Sequence, residues 1–126
     1  MKILLIDTTQ SELLVALVGD STVEKRTHPE QRRHSEVLNT VASDFVRQAD
    51  AFAVVTGPGS WTGSRVGVVA VKAWAMATQK PIIQLTMDNG QWTIDDVRRK
   101  FKNKDFTPIH ELKPYYDSDF KITPKK

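Results

Sequence analysis

The stretch GPGSWTGSRVG, Gly57–Gly67, carries four glycines in eleven residues and lies between two apolar runs, AFAVVT and VVAVKAWAMA. The first run has the length of a strand and the second that of a helix. A glycine-rich turn between them marks a strand–turn–helix unit, which needs neighbouring strands to form a sheet. The segments before it supply them. Ile3–Ile6 is a continuous apolar run, as expected of a strand covered on both faces. Asp7-Thr8-Thr9-Gln10-Ser11 is a polar turn, Leu13–Val18 a second strand, and Gly19-Asp20 a hairpin signal. Thr22–Thr27 is the most polar candidate strand and is expected at a sheet edge.

After the polar HPEQRRHSE, the residues Val37, Leu38, Val41, Ala42, Phe45, Val46 and Ala49 trace one broad helical stripe, with Ser35 or His34 as the expected cap. Ala51–Thr56 is the fourth strand, and a helix from about Thr62 to Thr78 follows the glycine turn. Lys80-Pro81 ends that helix and Ile82–Leu85 is the fifth strand. The order βββαβαβ predicts a mixed five-stranded sheet in which a hairpin feeds parallel strands and both helices lie on one face. That is the plan of a ribonuclease H-like or actin-like ATPase subdomain. From Thr86 the character changes. Thr86–Trp92 reads as a loop, Thr93 caps a short basic helix running to about Lys102, and an extended tail follows from Asp105. The expected organisation is therefore one α/β unit over 1–85 and a short helix with a tail over 86–126.

The chain has 126 residues, enough to bury a core without staples, and no cysteine. Disulfides, thiolate nucleophiles and cysteine-held zinc are thereby excluded. The formal net charge is +3, with basic residues concentrated at Arg98-Arg99-Lys100, Lys102, Lys104 and Lys125-Lys126. Such a run is either a solvated face or a contact for RNA phosphates. MKILLIDTT has too short an apolar run for a signal peptide, and no stretch approaches the roughly 18 apolar residues of a bilayer span. No membrane contact and a cytoplasmic location are expected.

The glycine turn fits neither specific phosphate motif. No lysine follows Gly63 as a P-loop requires, and Thr62 stands where a dinucleotide fingerprint needs its third glycine. Two readings stay open. One is a tight turn built for close packing. The other is a weak nucleotide or anion site made by Asp7, Thr8 and Thr9 with Gly57, Pro58, Gly59 and Ser60. Asp7 stands where actin-like ATPases carry an acid facing phosphate and metal, yet Asp7-Thr8-Thr9 lacks the glycine that lets phosphate approach closely, which favours a plain turn aspartate. His28, His34 and His110 have no metal-ligand spacing, and Ser60 lacks a nucleophile-elbow context. No catalytic residue and no metal are expected.

The second helix is the more informative element. Between Val66 and Ala77 only Gly67 and Lys72 are not plainly apolar. A helix lying on one face of a sheet has a wet side, so this one is expected to be covered twice. Gly63 and Gly67 share a face suited to close backbone approach. The expected partner-facing and core surface comprises Val37, Leu38, Val41 and Phe45 of the first helix with Gly63, Val66, Gly67, Val69, Ala70, Ala73, Met76 and Ala77 of the second. The competing reading is that the C-terminal tail covers the second helix.

MKILLIDTT, the RRHSE opening the first helix, AFAVVTGPGSWTGSRVGVVAVKAWA and KPII together resemble the bacterial TsaB (YeaZ) family, over about Met1–Leu85. The usual family forms look like IDTS, RHSE and GPGSFTGLRIG; Trp61 and Ser64 here replace the Phe and Leu. The resemblance implies an actin-like (ASKHA) fold and a non-catalytic scaffold. It would pair through its two N-terminal helices with TsaD, the enzyme that adds threonylcarbamoyl to the adenosine beside the anticodon of certain tRNAs. It also implies TsaE, an ATPase, in the same assembly, tRNA as an indirect partner, and homodimerisation through the same helices as an alternative. TsaD-type proteins carry a metal-binding H-x-x-x-H after the fifth strand, where this chain reads TMDNGQW. No cofactor is implied beyond a candidate nucleotide at the partner interface. Two other functions stay open: a nucleotide-binding or hydrolysing protein of actin-like fold, and a self-associating domain that has left the modification pathway.

Overall fold

The computed structural model describes residues 1–10, 12–29, 34–57, 61–86 and 92–113, the side chains of 34–37 and 61–64 excepted. Its elements are β1 (Ile3–Asp7), β2 (Leu13–Val18), β3 (Val23–His28), α1 (His34–Gln48), β4 (Ala51–Gly57), α2 (Trp61–Thr78), β5 (Ile82–Thr86) and α3 (Ile94–Lys102), with a 3-10 turn at Ile109–Glu111. The five strands lie in the order β3-β2-β1-β4-β5. β1 pairs antiparallel with β2 and parallel with β4, β3 pairs antiparallel with β2, and β5 closes the parallel half on β4.

Strand alternation sorts the apolar side chains into two layers. Leu4 and Ile6 of β1, with Val15, Phe52 and Val54, face a core completed by Leu38, Ala42 and Phe45 of α1 and Val68, Val71 and Ala75 of α2. Ile3 and Leu5, with Ala16, Ala53, Val55 and Ile83, face a second core completed by Val97 of α3. The two long helices therefore share one face of the sheet, as the element order predicts, and α3 seals the other.

At the β3 edge Arg26 clamps the sheet to α1. Its guanidinium grips both Asp44 oxygens at 2.7 and 2.8 Å, donates to the Val41 carbonyl at 2.7 Å, and lies 3.8 Å from the Phe45 ring centroid. The bidentate pairing holds the Asp44 carboxyl down to about 2.

α3 begins with a capping box: the Thr93 hydroxyl accepts from the Asp96 N–H at 3.0 Å, and the Asp96 carboxylate accepts from the Thr93 N–H at 2.9 Å. Arg98 then ties the helix to the β2–β3 turn by donating to the Gly19 carbonyl at 3.0 Å. Beyond α3 the chain runs around the edge of β5. Phe106 packs on the second core, the Thr107 N–H donates to the Ile82 carbonyl at 2.8 Å, and Leu112 is wholly buried in the first core.

Three expectations need correction. α1 starts at His34, so neither His34 nor Ser35 caps it; both sit in its first turn. The apolar stripe marks where a helix meets the core, not where its backbone begins to coil. β3 runs one residue later than Thr22–Thr27, at Val23–His28. Residues 105–113 are not merely an extended tail, because the 3-10 turn and Leu112 fold back onto the domain.

Candidate functional site

Of the residues predicted to hold an anion, Asp7, Thr8, Thr9 and Gly57 gather at one end of the sheet, where β1 and β4 both deliver their carboxyl ends. Asp7, Thr8 and Thr9 already make hydrogen bonds within the chain. Asp7 is 4% exposed, and one of its oxygens accepts from the Thr9 N–H at 2.8 Å and the Thr9 hydroxyl at 2.6 Å. This is the local bonding of a turn aspartate. The buried Thr8 hydroxyl accepts from the Gly67 N–H of α2 at 3.1 Å, so it locks the β1 turn onto that helix. Gly57 has φ 129°, a conformation that side-chain-bearing residues rarely adopt, at an irregularity in the β4–β5 pairing. Pro58, Gly59 and Ser60 lie outside the described residues.

Gly67 is needed for close packing. A Cβ there would sit 2.9 Å from the Thr8 hydroxyl oxygen and 3.2 Å from the Val54 Cγ2. The close approach that it permits is to the domain's own β1 turn and β4, so Gly67 does not face a partner. Leu38 and Phe45 likewise leave the predicted interface, being 2% and 1% exposed inside the first core. They belong to the stripe by which α1 meets the sheet. Val41 is half-buried, and the Val37 and Gly63 side-chain positions lie outside the described residues.

What remains is a surface on α2. Val66 and Ala70 are half-buried against the core, whereas Val69, Ala73, Met76 and Ala77 are exposed, Val69 by 61% and Met76 by 68%. These four fall at i, i+4, i+7 and i+8, one face of a helix, and extend along about 12 Å at 1.5 Å per residue. Past Met76 the strip runs into a cavity of about 460 Å3 between the end of α2 and the returning chain, with Ala75, Pro81, Phe106 and Ile109 among its walls. Phe106 and Ile109 carry no helical or strand period in the sequence, so nothing there announced them. The C-terminal segment thus covers one flank of α2, and up to Lys113 it leaves the outer strip open.

A β3-β2-β1-β4-β5 sheet with two helices on one face, and an acid and a glycine turn at the ends of its central parallel strands, defines a ribonuclease H-like, actin-like lobe. Solved structures agree on the fold. "YeaZ from Pseudomonas aeruginosa" superposes with a TM-score of 0.58 at 23% identity, over 68% of this chain and 45% of that one. "An uncharacterized protein with similarity to peptidase YEAZ from Pseudomonas aeruginosa" gives 0.62 at 22% identity, over 82% of this chain and 49% of the other.

The family model TsaD, tRNA N6-adenosine threonylcarbamoyltransferase, matches residues 23–89, just over half of the chain. The chain is 31% identical over 103 residues to the tRNA threonylcarbamoyladenosine biosynthesis protein TsaB of Escherichia coli (strain K12), covering 73% of this chain and 45% of that protein. It is 35% identical over 95 residues to the uncharacterized protein MG208 homolog of Mycoplasma pneumoniae, covering 65% of this chain and 46% of that one. The chain belongs to this family, on its TsaB (YeaZ) side. It spans about half the length of the curated relatives that it matches.

Proposed function

We propose that this chain is a non-catalytic pairing subunit in tRNA threonylcarbamoyladenosine modification, docking on TsaD through the exposed apolar strip of α2. The observation that carries this reading is the strip itself. Val69, Ala73, Met76 and Ala77 stand open on a helix whose opposite side already fills the core. Covering Val69 and Met76 would contribute about 1–2 kcal/mol each, and the small Ala73 and Ala77 let a second helix come close. The pairing reading also accounts for Asp7 and Thr8, which serve the fold by holding a turn and docking α2. TsaE joins the assembly in this reading, and tRNA meets it chiefly through TsaD.

The test is to mix the chain with TsaD from the same organism and measure the mass of the mixture by light scattering. The wild-type chain forms a stoichiometric complex. Ala73→Arg places a charge in the middle of the strip and abolishes the complex, while its melting temperature stays at the wild-type value. A chain that ignores TsaD, or an Ala73→Arg variant that pairs undiminished, defeats the proposal. If the strip instead closes on a second copy of the chain, the mass of the chain alone doubles and the same variant returns it to that of a monomer.

A further inference from the structure

The apolar strip leaves the outer face of α3 without a role. Asp95, Arg98, Arg99 and Lys102 fall at i, i+3, i+4 and i+7 and therefore share one side of that helix. Beside it opens a cavity of about 560 Å3, lined by Met1, Asp20 and Phe101 together with those four residues. Two guanidinium groups, an ammonium and the Met1 amino group converge there, against the carboxylates of Asp20 and Asp95 in the wall and that of Asp96 beside it, which accepts from Arg99 at 2.8 Å. The helix that presents them is fixed by its capping box and by the Arg98 bond to Gly19. The groove thus has a set shape, unlike a fringe of independent surface lysines.

The two carboxylates in the wall are weak occupants. Asp20 is 80% exposed and 3.7 Å from the Met1 amino group, and Asp95 is 93% exposed and 3.5 Å from Arg98. Pairs whose carboxylate stands open to water, as both do here, contribute little. A backbone phosphodiester presents two anionic oxygens that match a guanidinium in bidentate fashion, as a carboxylate does, and a strand repeats that group along its length, so several phosphates act together where each exposed carboxylate acts alone. Phe101 adds apolar surface in the same wall, the mixture of cation and aromatic found where single-stranded nucleic acid lies.

We infer that this groove between α3 and the β2–β3 turn holds the phosphate backbone of a single-stranded stretch of RNA. The inference rests on the tRNA-modification reading and supplies a direct contact with the nucleic acid, which docking through α2 does not.

The test uses the full chain alone, titrated into a fluorescein-labelled unmodified tRNA transcript and an eight-nucleotide single-stranded RNA. Binding is followed by anisotropy between about 50 and 200 mM salt, the range over which phosphate contacts show their salt dependence. The double variant Arg99→Gln/Lys102→Gln weakens binding about tenfold at the low-salt end. It also lowers the slope of log affinity against log salt by about 1.5, since each lost phosphate contact removes about 0.7–0.9. The double variant Asp20→Asn/Asp95→Asn shifts affinity the opposite way. Arg47→Gln/Lys113→Gln, on other parts of the surface, leaves both quantities at wild-type values. The inference is overturned if the chain binds neither RNA at low salt, or if Arg99→Gln/Lys102→Gln keeps the wild-type affinity and slope. It also fails if the Arg47/Lys113 pair loses as much, or if free ATP binds as tightly as the RNA strand. Because TsaD is absent from this titration, loss of RNA binding with TsaD pairing intact removes the groove alone.

Discussion

α1 and α2 lie side by side on the same face of the same sheet and use their apolar residues differently. α1 sends its stripe inward: Leu38, Ala42 and Phe45, with Ala49 just past its end, are at most 2% exposed, and Arg26 crosses its flank to hold Asp44. α2 buries Val68, Val71 and Ala75 in the same core and repeats the chemistry outward with Val69, Ala73, Met76 and Ala77. The first helix obeys the usual division between a dry and a wet side. The second breaks it where stability gains nothing. A contiguous apolar strip facing water on a helix already anchored by its other side is the surface that the proposed docking uses.

The largest test of that contrast is a pair of truncations. Phe45→Ala empties a fully enclosed position and should cost about 3–5 kcal/mol in a denaturant titration, whereas Met76→Ala should stay within about 0.5 kcal/mol. Comparable losses at the two sites would mean that the α2 strip is core after all. Next in size is Gly67→Ala. Crowding against Thr8 and Val54 outweighs the usual helix advantage of alanine and leaves a net loss of about 1 kcal/mol. A stabilised variant would show that the β1 turn yields freely.

Acid sharpens the comparison from the α1 side. Asp44 is held at about 2 in the folded chain, below the ordinary carboxylate range near 4 in the unfolded one. The Arg26 clamp therefore contributes its full stability above about pH 4 and loses it as pH falls towards 2. Melting temperature measured across that window should decline less in Asp44→Asn than in the wild type. An identical acid limb in the two proteins would show that the clamp contributes nothing. The smallest effect expected is at the end of α2, where Gln79 has φ 63°. Gln79→Gly relieves a left-handed conformation and should raise stability by up to about 1 kcal/mol, read from the melting curve, without touching the strip.

Much of this frame is legible in the sequence because it is written in short periods. β2 needs no correction, since its unbroken apolar run ends at a glycine-aspartate turn. β3 slipped by one residue because a polar edge strand marks its ends weakly. The start of α1 is hard to place because the apolar stripe in the sequence begins only at Val37, and periodicity reports contacts. Leu112 went unread for the opposite reason: a solitary leucine among polar residues and prolines has no period, and only its long-range fit into the core reveals it. The candidate site divides in the same way. That α2 carries surplus apolar residues is a matter of composition. That Gly67 faces Thr8 while Ala73 faces out depends on how the helix is rotated, which no local pattern fixes.

The passage of residues 92–113 around the β5 edge bears on any attempt to borrow this lobe as a building block. A fragment cut at Thr86 would keep all five strands and both long helices, yet present Ile3, Leu5, Ala53, Val55 and Ile83 as a bare greasy plate. Such a fragment would clump. The portable unit is the sheet together with its belt, and a graft that omits the belt inherits a sticky underside.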